Sequence, residues 1–168
     1  QEQRNALLTK LAQEFGSFCK ETYLSLDPSV QKEFSQAMGV RALKNIMLTM
    51  IARQGDESAF ELADAQYKST RNMSERLGAL KVLVWNDAPQ AEAALIDFYM
   101  RFKDESLSMD QWFMVQAAHP QADAQTIEYL TSHPDYDLAV PNRIRSVSSG
   151  LNANPVNTWG FGVQHYIQ

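Results

Sequence analysis

Apolar residues recur at steps of three and four along most of the chain, the spacing of one face of an α-helix. Leu7, Leu11, Phe15, Phe18 and Thr22 form such a stripe within residues 3–25, which predicts an amphipathic first helix that buries them; Asp27-Pro28 breaks it. After Gly39 the pattern returns in Val40, Leu43, Ile46, Met47, Met50 and Ile51. Gly55-Asp56 then separates that helix from a third carrying Phe60, Ala63 and Tyr67. Asn72 followed by Glu75 has the form of a helix N-cap with its reciprocal carboxylate, ahead of Met73, Leu77, Leu80 and Val84. Asp87 and Pro89 suit the cap and first turn of a fifth helix through Ala91, Leu95, Phe98 and Phe102. Ser108 with Gln111 caps a sixth through Met109, Trp112, Phe113 and Gln116. His119-Pro120 stops the sixth, Ala124, Ile127 and Leu130 mark a seventh that Pro134 stops, and an eighth follows Pro141 with Ile144, Val147 and Leu151 inward.

Helix pairs thus open near residues 40, 72, 108 and 140, the period of helix hairpins that stack into a solenoid. The expected fold is all-α: an irregular superhelical stack of antiparallel helix pairs, armadillo/HEAT-like, with about eight helices over residues 1–168 as a single helical domain. A compact helical bundle is the second choice. Asn154, Pro155 and Gly160-Phe161-Gly162 are expected to form a loop or frayed end, and Tyr166-Ile167 the start of a further helix. Only 7 Gly and 6 Pro in 168 residues agree with a helical chain.

Composition narrows the function. With 15 basic against 20 acidic residues and a net charge of −5, the chain lacks the Lys and Arg surplus that neutralises phosphates, so nucleic acid is not an expected partner. No apolar run reaches the roughly 20 residues of a membrane helix, and no membrane partner is expected. The lone Cys19 fits a reducing compartment, hence a cytoplasmic location. The start Gln1-Glu2-Gln3-Arg4 has neither an initiating Met nor a signal pattern, and the chain is read as part of a longer one.

No recognisable catalytic set is present. H-E-x-x-H, Gly-rich phosphate loops and G-x-S-x-G are all missing. His119 and His133 each precede a Pro at a helix end, and with His165 they read as structural. Cys19, most of the seven Met residues and the three Trp residues read as core. The pairs Asp135/Asp137 and Asp104/Glu105 read as solvated carboxylates in polar connections. The stretch Pro141-Asn142-Arg143-Ile144-Arg145-Ser146 stands out, because it places two guanidinium groups at a helix start, where the dipole repels cations. Arg143 and Arg145 lie about 100° to either side of Ile144 and point in different directions.

Three ordered segments, Asn72-Met73-Ser74-Glu75-Arg76-Leu77-Gly78-Ala79-Leu80, Met109-Asp110-Gln111-Trp112-Phe113-Met114-Val115-Gln116-Ala117 and Pro141 to Ser146, carry a resemblance. With Arg41-Ala42-Leu43-Lys44-Asn45 and the Asn154-Pro155 turn, they resemble the C-terminal helical domain of bacterial aminopeptidase N, the alanyl aminopeptidase of the zinc gluzincin peptidases. The likeness spans roughly residues 37–168 and, more loosely, the first helix. It implies that zinc and the catalytic residues lie outside this segment, in a preceding catalytic domain of the same polypeptide. It also implies that the helical domain closes over a chamber that admits peptide substrates. On the same resemblance Arg145 points into that chamber, toward a peptide carbonyl or carboxylate, while Asn142 and Arg143 are weaker candidates and more structural. Val140 stands where the family often has Asn. The expected function is therefore a non-catalytic domain of a zinc aminopeptidase, with no cofactor of its own. The alternatives are a helical-repeat module that binds a protein or peptide partner and, behind it, a ligand-sensing domain of a regulator, which the acidic charge opposes.

Overall fold

The computed structural model describes residues 2–31 and 33–153. Among them are eight α-helices, a short 3-10 helix at Pro28–Val30 and no strand. The chain divides after Gln90 into two compact units. The first contains α1 (Glu2–Ser25), α2 (Phe34–Ala52), α3 (Glu57–Ser69) and α4 (Met73–Trp85). The second contains α5 (Ala91–Phe102), α6 (Ser106–Ala117), α7 (Ala124–Thr131) and α8 (Pro141–Ala153). The predicted loop at Asn154, Pro155 and Gly160 to Gly162, the helix start at Tyr166-Ile167, and Trp159 and His165 lie outside the described residues.

In the first unit α2 packs on α1 and α4, and α3 on α4. The face of α1 that does this is not the predicted one. Ala12, Gly16, Cys19 and Tyr23 are buried, whereas Leu7, Phe15 and Phe18 are 57, 50 and 61 % exposed and Leu11 is exposed as well. The buried row lies one residue, about 100°, around the helix from the apolar row. Ala12, Gly16 and Cys19 are small, and the amide end of the Gln54 side chain fills the space that a Cβ at Gly16 would take. Close packing has won over side-chain apolarity.

α2 starts at Phe34 and carries Gly39 inside it, with its buried residues at Ala37, Leu48, Ile51 and Ala52. Of the predicted inward row only Ile51 is fully buried, and Leu43 and Ile46 are exposed. α3 begins as expected: Gly55 takes a positive φ of 73° and the Asp56 carboxylate accepts the Ser58 N–H at 3.0 Å. α4 opens on Asn72, whose side-chain oxygen accepts from Ser74 N at 3.0 Å and Glu75 N at 3.4 Å. Glu75 does not return the contact. Its carboxylate accepts from Thr70 Oγ1 at 3.2 Å and faces Lys44 Nζ at 3.7 Å, while the Asn72 N–H is taken by Thr70 Oγ1. Asn72→Ala is expected to cost about 1 kcal/mol of stability, the usual loss for an N-cap, read as a lower urea midpoint at unchanged slope. An unchanged midpoint would show that water replaces the cap without cost.

The Asp87 backbone closes α4. Its φ is 50°, its N–H reaches Val84 O at 3.2 Å, and Ala88 N reaches Leu83 O at 3.0 Å. These are the paired bonds of a Schellman ending, in which Asp tolerates the left-handed position better than bulky residues do.

In the second unit α6 packs on α5, α7 and α8. α6 starts at Ser106 with Glu105 at its N-cap, so Ser108 lies within the helix and donates to Glu105 Oε2 at 3.0 Å. α7 has a true capping box between Asp123 and Thr126. The inward row of α8 is Arg143, Ser146, Val147 and Gly150; Ile144 is 40 % exposed and Leu151 half-buried. The expectation that Ile144 points inward is therefore corrected, because a buried charge takes that face. The Met residues also depart from the core reading: Met109 is buried, but Met38 and Met100 are exposed.

Candidate functional site

Arg143 and Asp110 explain why α8 turns a charged face inward. Arg143 Nε donates to Asp110 Oδ1 at 2.7 Å, with both side chains more than nine-tenths buried. A terminal guanidinium N–H donates to the Asp135 carbonyl, and the guanidinium sits 5.0 Å from the Phe113 ring centre. The carboxylate compensates a cation that the N-terminal end of α8 disfavours. Asp110 Oδ2 is buried without a hydrogen-bond partner, so this carboxylate depends on Arg143 for its stabilisation.

Around the pair stands an aromatic group. Phe113 meets His133 and Tyr136 edge-on at 5.6 Å, and Trp112 donates its indole N–H to Leu95 O at 3.0 Å. His133 Nδ1 accepts from Asp135 N at 3.1 Å. Asp135 in turn accepts the Tyr99 phenol at 2.6 Å, a bond that raises the Tyr99 pKa above its ordinary value. Asp135 is thus held by partners and is not a free solvated carboxylate. His119 Nδ1 accepts from Gln121 N at 3.0 Å across the turn after α6. Cys19 is a buried thiol.

The first unit ties its two central helices in a related way. Asn45 of α2 donates to Ser74 O of α4 at 2.9 Å and accepts from Gln66 Nε2 at 2.9 Å. Gln66 also donates to Glu75 O at 2.8 Å and accepts from Tyr23 OH at 3.0 Å. Burial and the nearby Glu75 carboxylate push Tyr23 up to about 12, so the phenol stays a neutral donor. Both units therefore join an even-numbered helix pair, α2 with α4 and α6 with α8, through polar groups on the segments that carry the sequence resemblance.

Asn142 and Arg145 are exposed, and among the described residues Arg145 has no ion-pair partner. Helical geometry puts Arg145 about 200° around from Arg143, so one guanidinium pins the helix and the other projects from it. Asp110 is the residue the sequence reading passed over. Its signal was the one carboxylate of α6, flanked by Met109 and, after Gln111, by Trp112 and Phe113. Among the described residues no group of three or more His, Cys, Asp or Glu is placed to hold a metal ion, so the side chains described here do not fit zinc. No described helix is long and apolar enough to cross a membrane.

A family model described as a domain of unknown function (DUF3458_C) with ARM repeats matches residues 1–159. Aminopeptidase N of Caulobacter vibrioides is 33 % identical over 159 residues, covering 90 % of this chain and 18 % of that protein. Aminopeptidase N of Escherichia coli K12 is 29 % identical over 156 residues, covering 92 % of this chain and likewise 18 % of the relative. The crystal structure of Legionella pneumophila aminopeptidase A in complex with aspartic acid superposes with a TM-score of 0.79 at 24 % identity, over 93 % of this chain and 20 % of that one. At that identity the last match speaks for the fold alone. The all-helical repeat architecture expected from the helix spacing agrees with the ARM-repeat description, and the likeness to aminopeptidase N extends over nine-tenths of the chain.

Proposed function

The chain belongs to the DUF3458_C family of ARM-repeat domains, and from that premise we propose that it is the C-terminal helical domain of a zinc-dependent aminopeptidase that removes N-terminal residues from peptides. It walls the active-site chamber and restricts access. Bond cleavage and the zinc site belong to a preceding catalytic domain of the same polypeptide, in the cytoplasm. The observation that carries this proposal is the match to aminopeptidase N over 90 % of this chain but only 18 % of the relative's length. The exposed apolar row of α1, Leu7, Leu11, Phe15 and Phe18, supports a partner domain packed there, since contiguous exposed apolar surface marks contact sites.

Arg145 takes the role of substrate contact, offering its guanidinium to a peptide carbonyl or terminal carboxylate. In the full-length enzyme, Arg145→Ala is expected to raise KM for a tripeptide about five- to tenfold, the loss of one charge-assisted hydrogen bond. An aminoacyl anilide, which has no carboxylate, should be little affected. An unchanged tripeptide KM would remove Arg145 from substrate binding. The 168-residue chain alone, given zinc and an aminoacyl anilide, is expected to show no turnover; appreciable turnover would overturn the division of labour.

A further inference from the structure

A groove of about 570 Å³ opens in the first unit between α1, α2 and α4, within the range of small-molecule sites, roughly 300–1,000 Å³. Its floor is apolar: Leu8, Ile46, Met50, Leu77 and Trp85. Two charged side chains line it, Arg53 and Lys81, both cationic, and no carboxylate does. Among the described residues neither cation has an ion pair. The Lys81 ammonium lies 5.9 Å from the Trp85 ring centre, half-buried against the apolar wall. Burial pushes its pKa down, the mark of a cation lacking a counter-charge. In a chain of net charge −5, a concave apolar site charged only with cations is complementary to an anion.

The side-chain amides and the threonine hydroxyl of the wall are already engaged, which leaves the Ser74 hydroxyl as its other hydroxyl group. Asn45 is spent on Ser74 and Gln66, the Thr49 hydroxyl donates to Asn45 O at 2.8 Å, and the Asn86 amide donates to Val82 O at 2.8 Å. A peptide would bring amide groups that find few partners here, whereas a hydrocarbon chain needs none. We propose that this groove binds an alkyl carboxylate, the chain lying on the apolar floor and the carboxylate pairing with Lys81 and Arg53. The site is independent of the proposed peptidase role and acts on this chain's own residues.

Calorimetric titration of the chain with decanoate, decanol and decylammonium, each below its micelle-forming concentration, tests it. Decanoate is expected to bind saturably at one site, decanol about tenfold more weakly, and decylammonium not at all. Lys81→Gln should weaken decanoate about tenfold without changing decanol, and Lys81→Arg should retain most of the affinity. Thermal melts of both variants check that they fold; Lys81→Arg carries the test if Lys81→Gln does not. Absence of saturable decanoate binding, equal affinity for decanol, or an unaffected folded Lys81→Gln variant would overturn the proposal. Tighter binding of N-acetyl-trileucine than of decanoate would also overturn it, in favour of a peptide carboxylate.

Discussion

Asp110→Ala is expected to lower the unfolding free energy by about 3–5 kcal/mol, the usual cost of removing one member of a buried ion pair. Most of that loss comes from what stays behind. Arg143 keeps its charge inside the α6–α8 contact, 5.0 Å from the Phe113 ring centre, with a backbone carbonyl left to receive it. Against a total stability of about 5–15 kcal/mol this is a large share. The double variant Asp110→Leu with Arg143→Met should recover most of the loss, because two apolar groups of similar size leave no stranded charge. Urea unfolding of the two single variants and the double variant measures the coupling. A loss below about 1 kcal/mol for Asp110→Ala would mean that water reaches Arg143 and the pair is not the pin of α8.

The second large effect is expected at Gly150. A Cβ added there would lie 2.8 Å from Ala117 Cβ, 2.9 Å from Met114 O and 3.1 Å from Ala118 N. Two of these neighbours are backbone atoms of the α6 ending and cannot move without opening the helix contact. Gly150→Ala should therefore destabilise by about 1–3 kcal/mol despite the better helix propensity of Ala. Gly16→Ala is the control, since the atoms it meets are the amide end of the flexible Gln54 side chain. That variant should stay within about 0.5 kcal/mol of the parent or gain slightly, as helix propensity offsets a small side-chain shift. Equal losses at both positions in thermal unfolding would show that helix packing does not distinguish them.

Much of the helical plan was legible because it rests on local chemistry. Asn72 caps α4, Asp56 caps α3, and the prolines after His119 and His133 follow helix ends, all through backbone hydrogen bonds that nearby residues satisfy. Where the cap of α6 was misplaced, a second local solution competed: Ser108 could cap or donate to Glu105 from within. Helical angle separated the directions of Arg143 and Arg145 but did not say which of them is buried. Asp110 was not legible as a partner, because it lies 33 positions before Arg143, across a helix and two turns whose geometry no spacing rule supplies.

The sequence by itself determined where helices form and end, their approximate number and the segments that carry the family likeness, since propensity, capping and proline act within a few residues. Only the tertiary structure decided which face of each helix is inside. On α1 the row Ala12, Gly16, Cys19 and Tyr23 displaced the more apolar row, and on α8 a charge paired across helices displaced Ile144. The physical reason is that burial is a property of two surfaces meeting: distance of approach and a partner for each charge are set by the neighbouring helix, and hydrophobicity along one helix cannot report either.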